Sequence, residues 1–250
     1  MRNLLTLYRK ELKTYFFTLF GWVVLAFVAF MQGFSLSTAM KGFADTPVAR
    51  SLVYVTYHTP NFWFYFLFIF PLITMRLFAE EERSGTLETL LTAPLKTWQV
   101  VLSKYGAAFT FYLVLLIPAI VHFSLFSSLT EIAAPFSQGS FYGSIIILVL
   151  MGMFFTALGL LGSALTSSQI VAGIITIGFL LIHYILGYIT IVWSDNFPAA
   201  ALFQYISSQR YLADFTTGLI DSRALAFYPL ATALVLFITH HLVDFRRWRA

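Results

Sequence analysis

The sequence predicts an all-α membrane protein: one transmembrane domain over residues 1–250, with six transmembrane helices, an N-terminal interfacial helix and a short cytoplasmic helix between the second and third spans. Three observations predict it. First, 59% of the residues are hydrophobic and only 10% are charged, whereas a soluble domain carries about 25% charged residues. So little charge cannot cover a water-exposed surface, and lipid must be the solvent for much of the chain. Second, the apolar residues gather into six segments of spanning length, approximately Tyr15–Leu36, Phe62–Phe78, Val101–Phe126, Phe141–Leu165, Ile170–Trp193 and Ala224–Val243, none with Asp, Glu, Lys or Arg in its central part. Third, the cations are placed asymmetrically. With a cytoplasmic N-terminus, the inside receives Arg2, Arg9, Lys10, Lys13, Arg76, Arg83, Lys96, Lys104, Arg246, Arg247 and Arg249, and the outside only Lys41, Arg50, Arg210 and Arg223. The positive-inside rule then places both termini in the cytoplasm, in agreement with an even number of spans. The same placement reads the basic balance as membrane topology and not as nucleic-acid binding.

Taken in order, residues 1–14 form the first element. Leu4, Leu5, Tyr8, Leu12, Tyr15 and Phe16 recur at helical spacing on one face, and Arg2, Arg9, Lys10 and Lys13 favour the other. Such a helix lies in the headgroup layer against membrane lipid. The next run, Tyr15–Leu36, exceeds the apolar core of about 7–15 residues of a signal peptide and reads as a retained anchor. On the fourth span, Gly152, Thr156, Gly159 and Ser163 recur near four-residue spacing, as residues do where helix backbones approach closely in lipid. Residues 194–223, before the last span, alternate apolar stretches too short to cross with polar ones. They read as short outer helices that either dip into the leaflet or cap the bundle.

The sequence lacks the motifs of several chemistries. It has no cysteine, which excludes disulfides, thiolate metal sites and a Cys nucleophile. It has no G-x-x-x-x-G-K-[ST] loop for ATP, no G-x-S-x-G and no H-E-x-x-H. His240 and His241 are adjacent and point about 100° apart on a helix, while His122 and His183 fall in different spans; each reads as a hydrogen-bonded packing residue. No carboxylate sits at mid-membrane depth to relay protons or hold cations, so energy for uphill transport has to come from a partner.

The most informative stretch is Thr74–Pro94. The second span is expected to continue as a helix to Arg83, with Arg76 and Glu80 spaced to pair across one turn. Ser84-Gly85 breaks that helix and caps a new one, which Pro94 ends. On the new helix, within residues 84–94, Leu87, Leu90 and Leu91 share a face. A helix of under about three turns is marginal alone and needs a surface for that face. The cluster Glu80, Glu81 and Glu82 opposes anionic headgroups and favours a basic protein groove; the alternative is an ordinary connecting loop.

The run Arg76–Pro94 resembles the cytoplasmic loop of ABC-2-type transporter permeases, and within them it is most similar to the gliding-motility branch. Ser163–Ala172 and Thr217–Arg223 fit that branch too, and the resemblance covers nearly the whole chain in span order. It implies a non-catalytic, multi-pass subunit of the bacterial plasma (inner) membrane that pairs with a second permease subunit, itself or a related chain. It also implies an ABC-type ATPase subunit that binds the ATP and docks on the coupling helix, leaving this chain without a cofactor. In the gliding-motility branch a protein with a large extracytoplasmic domain works alongside. The docking residues implied are Glu80, Glu81, Glu82, Arg83, Gly85, Thr86, Leu87, Glu88, Leu90, Leu91 and Pro94. Leu87, Leu90 and Leu91 supply apolar contacts, Glu81, Glu82, Arg83 and Glu88 polar ones, and Gly85 the bend. On this reading Leu90→Asp abolishes ATPase co-purification. The rival expectation is a membrane scaffold that recruits a cytoplasmic partner without transport.

Overall fold

In lipid each backbone N–H and C=O must find its partner inside the chain, so apolar runs of this length fold as helices. The computed structural model describes residues 2–45, 51–92, 95–129, 137–192 and 200–247, and all regular structure among them is helical. Helix α1 (Arg2–Phe16) is joined by a two-residue elbow to α2 (Leu19–Asp45). Next come α3 (Leu52–Tyr57), α4 (Pro60–Thr74), α5 (Ala79–Arg83) and α6 (Thr86–Thr92). Helices α7 (Thr97–Leu115) and α8 (Ile117–Leu129) run on through an interruption at Leu116, just ahead of Pro118, which has no N–H to give the turn before it. The chain continues as α9 (Gln138–Ala164), α10 (Gln169–Val192), α11 (Ala200–Ile206), α12 (Ser208–Thr216) and α13 (Ser222–Arg247).

Among the described residues five stretches are long and apolar enough to cross a membrane: Leu19–Gly42, Thr97–Ser128, Gln138–Ala164, Gln169–Tyr188 and Ser222–Arg246. The expected second span departs from this. It is α4, an apolar helix of 15 residues that ends at Thr74, about 22 Å long against a hydrocarbon core of about 30 Å. Ten of its residues are buried in protein, so its peptide groups do not depend on a full lipid span. Nor does it extend to Arg83: Met75–Phe78 are turns, and a separate helix comes after them.

Helix α9 is the axis of the bundle, packed against α13, α10, α12, α7 and α4. The predicted small-residue face makes these approaches. A Cβ on Gly152 would lie 1.9 Å from the Tyr112 ring, and one on Gly159 would lie 2.2 Å from Thr74 Oγ1. Aromatic rings fill the centre: Phe66 stands 5.2 Å from Phe70, which packs against Tyr112 (5.1 Å) and Phe155 (5.2 Å). The outer faces expose Phe27, Phe30 and Phe34 on α2 and Leu230, Leu234 and Phe237 on α13, apolar surfaces suited to lipid.

Helix α1 packs on α7. Tyr8 and Thr110 share a hydroxyl hydrogen bond of 2.9 Å, Tyr15 stacks on Phe111 at 4.6 Å, and the Tyr15 hydroxyl donates to Ile73 O. Tyr15 thus belongs to the interfacial helix and not to the first span. The buried stripe of α1 is Leu7, Glu11 and Tyr15, while Leu5, expected on that face, is exposed.

Candidate functional site

Two sets of polar contacts lie along α9. At its C-terminal end Ser163 Oγ accepts from Phe78 N (3.0 Å) and Ala79 N (3.2 Å) and donates to Met75 O (3.1 Å). One side chain thereby satisfies the backbone freed where α4 stops, and fixes where α5 starts. Among the described residues the expected Arg76–Glu80 ion pair does not form, although Glu80 N donates to Arg76 O at 3.4 Å. Glu80 pairs with Arg83 at 3.0 Å, and the Arg76 guanidinium sits over the Phe20 ring, 5.2 Å from its centroid.

The neighbouring glutamates reach three other helices. Glu81 Oε2 lies 2.9 Å from Lys104 Nζ on α7, and the same Nζ lies 2.9 Å from Glu11 Oε1 on α1. Lys10 adds a longer contact to Glu81, 3.5 Å. Lys104 is 1% exposed and its Nζ lies 5.4 Å from the Phe78 ring centroid. A cation so removed from water is costly unless it is paired, and here two carboxylates share it. Glu82 pairs with Arg246 near the end of α13. Two residues before Arg246, Asp244 Oδ1 accepts from Thr97 Oγ1 at the start of α7 (2.6 Å). The segment Ala79–Arg83 is therefore ionically tied to α1, α7 and α13 at once.

Beyond it Gly85 adopts φ 70°, the left-handed conformation that glycine takes at little cost. This is the bend expected before the short helix. On α6 Leu87 is 6% exposed and Leu90 is half-buried against the same core, where α6 meets α5 and α13. The host for this apolar face is thus at least partly the chain itself. Arg83, Ser84, Gly85, Thr86 and Glu88 are exposed. The Leu91 side chain and Pro94 lie outside the described residues.

Sequence reasoning misses Glu11, Lys104 and Arg246 as members of the site. A signal for the first is available: Leu7, Glu11 and Tyr15 succeed one another at four-residue spacing, so a carboxylate on the buried stripe of α1 calls for a cation from the bundle. Lys104 and Arg246 read from the sequence only as two of the cations that set the orientation.

A second set of polar contacts lies beside Phe154 and Phe155, in the middle part of α9. His183 Nε2 is 2.7 Å from Ser208 Oγ, which is 2.8 Å from the Tyr228 hydroxyl. Gln209 Nε2 donates to Tyr184 O (2.7 Å) and Ser207 Oγ to Gly187 O (3.2 Å). These bonds hold α12 to α10 and α13, and α12 lies alongside α9, with Phe215 O against Gly143. Among the described residues no group of three or more His, Cys, Asp or Glu is arranged to hold a metal.

A family model described as an ABC-2 family transporter protein matches residues 46–213. No curated protein matches the chain.

Proposed function

The chain belongs to the ABC-2 transporter family, and from that membership we propose that it is the permease through which a separate ATPase subunit drives export of a substrate. Membership and the five apolar helices make it a multi-pass membrane subunit of an ABC transporter. The finer reading rests on one observation: Glu81 and Glu82 connect the segment before the bend to three helices of the bundle. A force applied at the exposed bend and α6 reaches α1 and α7 through Lys104, and α13 through Arg246.

On this reading the ATPase binds the ATP, and this chain needs no cofactor. It docks on the surface of Arg83, Ser84, Gly85, Thr86 and Glu88, with Leu91 and Pro94 completing the contact. Leu87 and Leu90 seat the helix from within, which revises their expected part as docking contacts. Glu81 and Glu82 transmit, and Glu80 holds Arg83 at the docking surface. Both termini and α6 are cytoplasmic in a bacterial inner membrane, a second permease subunit completes the path, and the gliding-motility resemblance suggests a partner with a large extracytoplasmic domain.

Leu90→Asp would unseat α6 as well as disturb docking, so Glu88→Lys is the sharper test of docking: it should abolish co-purification of the ATPase from membranes that still hold the permease. Glu81→Gln should leave the ATPase bound but remove the ATP-dependent change in distance between spin labels on cysteines placed at Thr86 and Leu230. Full co-purification with Glu88→Lys would reject the docking surface. Labels in the unsubstituted complex that never respond to ATP would favour a scaffold.

A further inference from the structure

Where α1 turns into α2, a cavity of about 240 Å³ opens between the elbow, the end of α4, α5 and α7. Its wall holds three cations, Lys10, Arg76 and Lys104, and three carboxylates, Glu11, Glu80 and Glu81. Lys104 is taken up by Glu11 and Glu81. What remains is a matched pair of opposite charges. Arg76 has no carboxylate within salt-bridge distance among the described residues and rests on the Phe20 ring. Glu80 uses Oε1 for Arg83, while its Oε2 is buried with no hydrogen-bond partner among the described residues. A buried carboxylate oxygen without a donor is costly, so this one calls for a donor.

The remaining wall is apolar, from Tyr15, Phe20, Ile73 and Leu77. Thr18 also lines the cavity, and its neighbours Phe17 and Leu19 are the most exposed large apolar side chains of the described residues, at 83% and 81%. Beside them Trp22 Nε1 donates to Phe16 O at 2.9 Å, an indole of the kind that marks the membrane interface.

We propose that this cavity binds the phosphoethanolamine headgroup of a membrane phospholipid. The phosphate pairs with Arg76 and Lys10, the ammonium donates to Glu80 Oε2, and the acyl chains lie over Phe17 and Leu19. The charge pattern selects among headgroups. An anionic glycerol headgroup brings no cation to Glu80, and choline brings a cation without an N–H. The bound lipid braces α1 against α5, beside the ion pairs around Lys104. This inference rests on the placement in a membrane and not on the transport reading, so its failure leaves that reading standing.

The test is native mass spectrometry of the intact chain in micelles holding equal amounts of phosphatidylethanolamine, phosphatidylcholine and phosphatidylglycerol. The unsubstituted chain should retain phosphatidylethanolamine about tenfold over the other two. Glu80→Gln should bring that preference to about parity, and Arg76→Gln should lower retention of all three about tenfold. Arg76→Lys should keep retention, and Arg83→Gln, which breaks only the surface pair, should keep the preference. Equal retention of the three lipids by the unsubstituted chain overturns the proposal whatever the variants do, and so does a preference untouched by Glu80→Gln. Soluble glycerophosphoethanolamine at the concentration of the lipid should not displace it; displacement would show that the headgroup alone suffices and would reject a lipid as the occupant.

Discussion

Lys104 shows how a single residue sets the character of the junction. Its ammonium is removed from water and its two carboxylate partners stand on different helices. Desolvation offsets much of the attraction in such a group, so the intact trio adds little net stability, whereas loss of one member is costly. Lys104→Met leaves Glu11 and Glu81 facing each other with only the longer contacts of Lys10, at 4.0 and 3.5 Å, a loss of about 3–5 kcal/mol. The expected result is a markedly lower midpoint of thermal unfolding in detergent, with part of it recovered when Glu11→Gln is added. A double variant no more stable than the single one would show that the three charges do not act as a unit. Glycine substitutions make a second contrast. In Gly152→Ala the new methyl meets the ring of Tyr112, which is fully buried and tethered by its hydroxyl to Leu148 O at 2.7 Å. With no room to yield, the cost is about 1–3 kcal/mol. Gly178, within α10, has nothing within 4 Å of a Cβ position, and Gly178→Ala should stabilise by about 0.5–1 kcal/mol through helix propensity. Opposite signs of thermal shift for one chemical change would bear out the packing assigned to α9.

Among the elements, the short ones show how far the sequence can be read. Gly85 announces a bend and the leucines of α6 announce a helix too short to stand without a host; both are present, with α6 running Thr86–Thr92 inside the expected 84–94. The identity of the host is not legible. Leu87 and Leu90 turn toward the chain's own core beside α13, more than a hundred residues away in sequence, and no local pattern records such a contact. The break after Thr74 escapes the sequence for the same reason: Ser163 supplies its hydrogen bonds from another helix. Apolar periodicity reports that α1 is amphipathic but counts Glu11 out of a buried stripe where tertiary pairing keeps it. The bend itself can be tested. Gly85→Ala meets no atom within 4 Å, so its cost is backbone strain alone, about 1–2 kcal/mol at φ 70°. That strain acts on the α5–α6 hinge and not on the core. Hydrogen exchange across residues 86–92 should rise about five- to thirtyfold, with exchange in α9 unchanged. A rise throughout the bundle would mean that the bend is part of the global fold.

For the molecule as a whole, the ion pairs around Lys104 gather beside the C-terminal end of α9, one end of a helix of 27 residues, about 40 Å long. An asymmetry of charge is visible in the sequence as eleven cations assigned to one side and four to the other. Which helices the charges join is not, because spacing along a chain says little about neighbours in a bundle of apolar helices that lipid does not sort. The docking proposal needs the charged end to face the cytoplasm, and the positive-inside rule gives the same side. The absence of cysteine allows this to be measured without background. Arg83→Cys places a thiol at an exposed position by the bend; Leu219→Cys places one at an exposed turn next to Gly218, which approaches Gly139 at the start of α9. A membrane-impermeant thiol reagent added to intact cells should label the cysteine at 219 and spare the one at 83, and permeabilisation should admit the reagent to both. The reverse pattern would put the bend and α6 outside the cell, beyond the reach of any cytoplasmic ATPase, and the ion pairs around Lys104 would then need a purpose other than transmission.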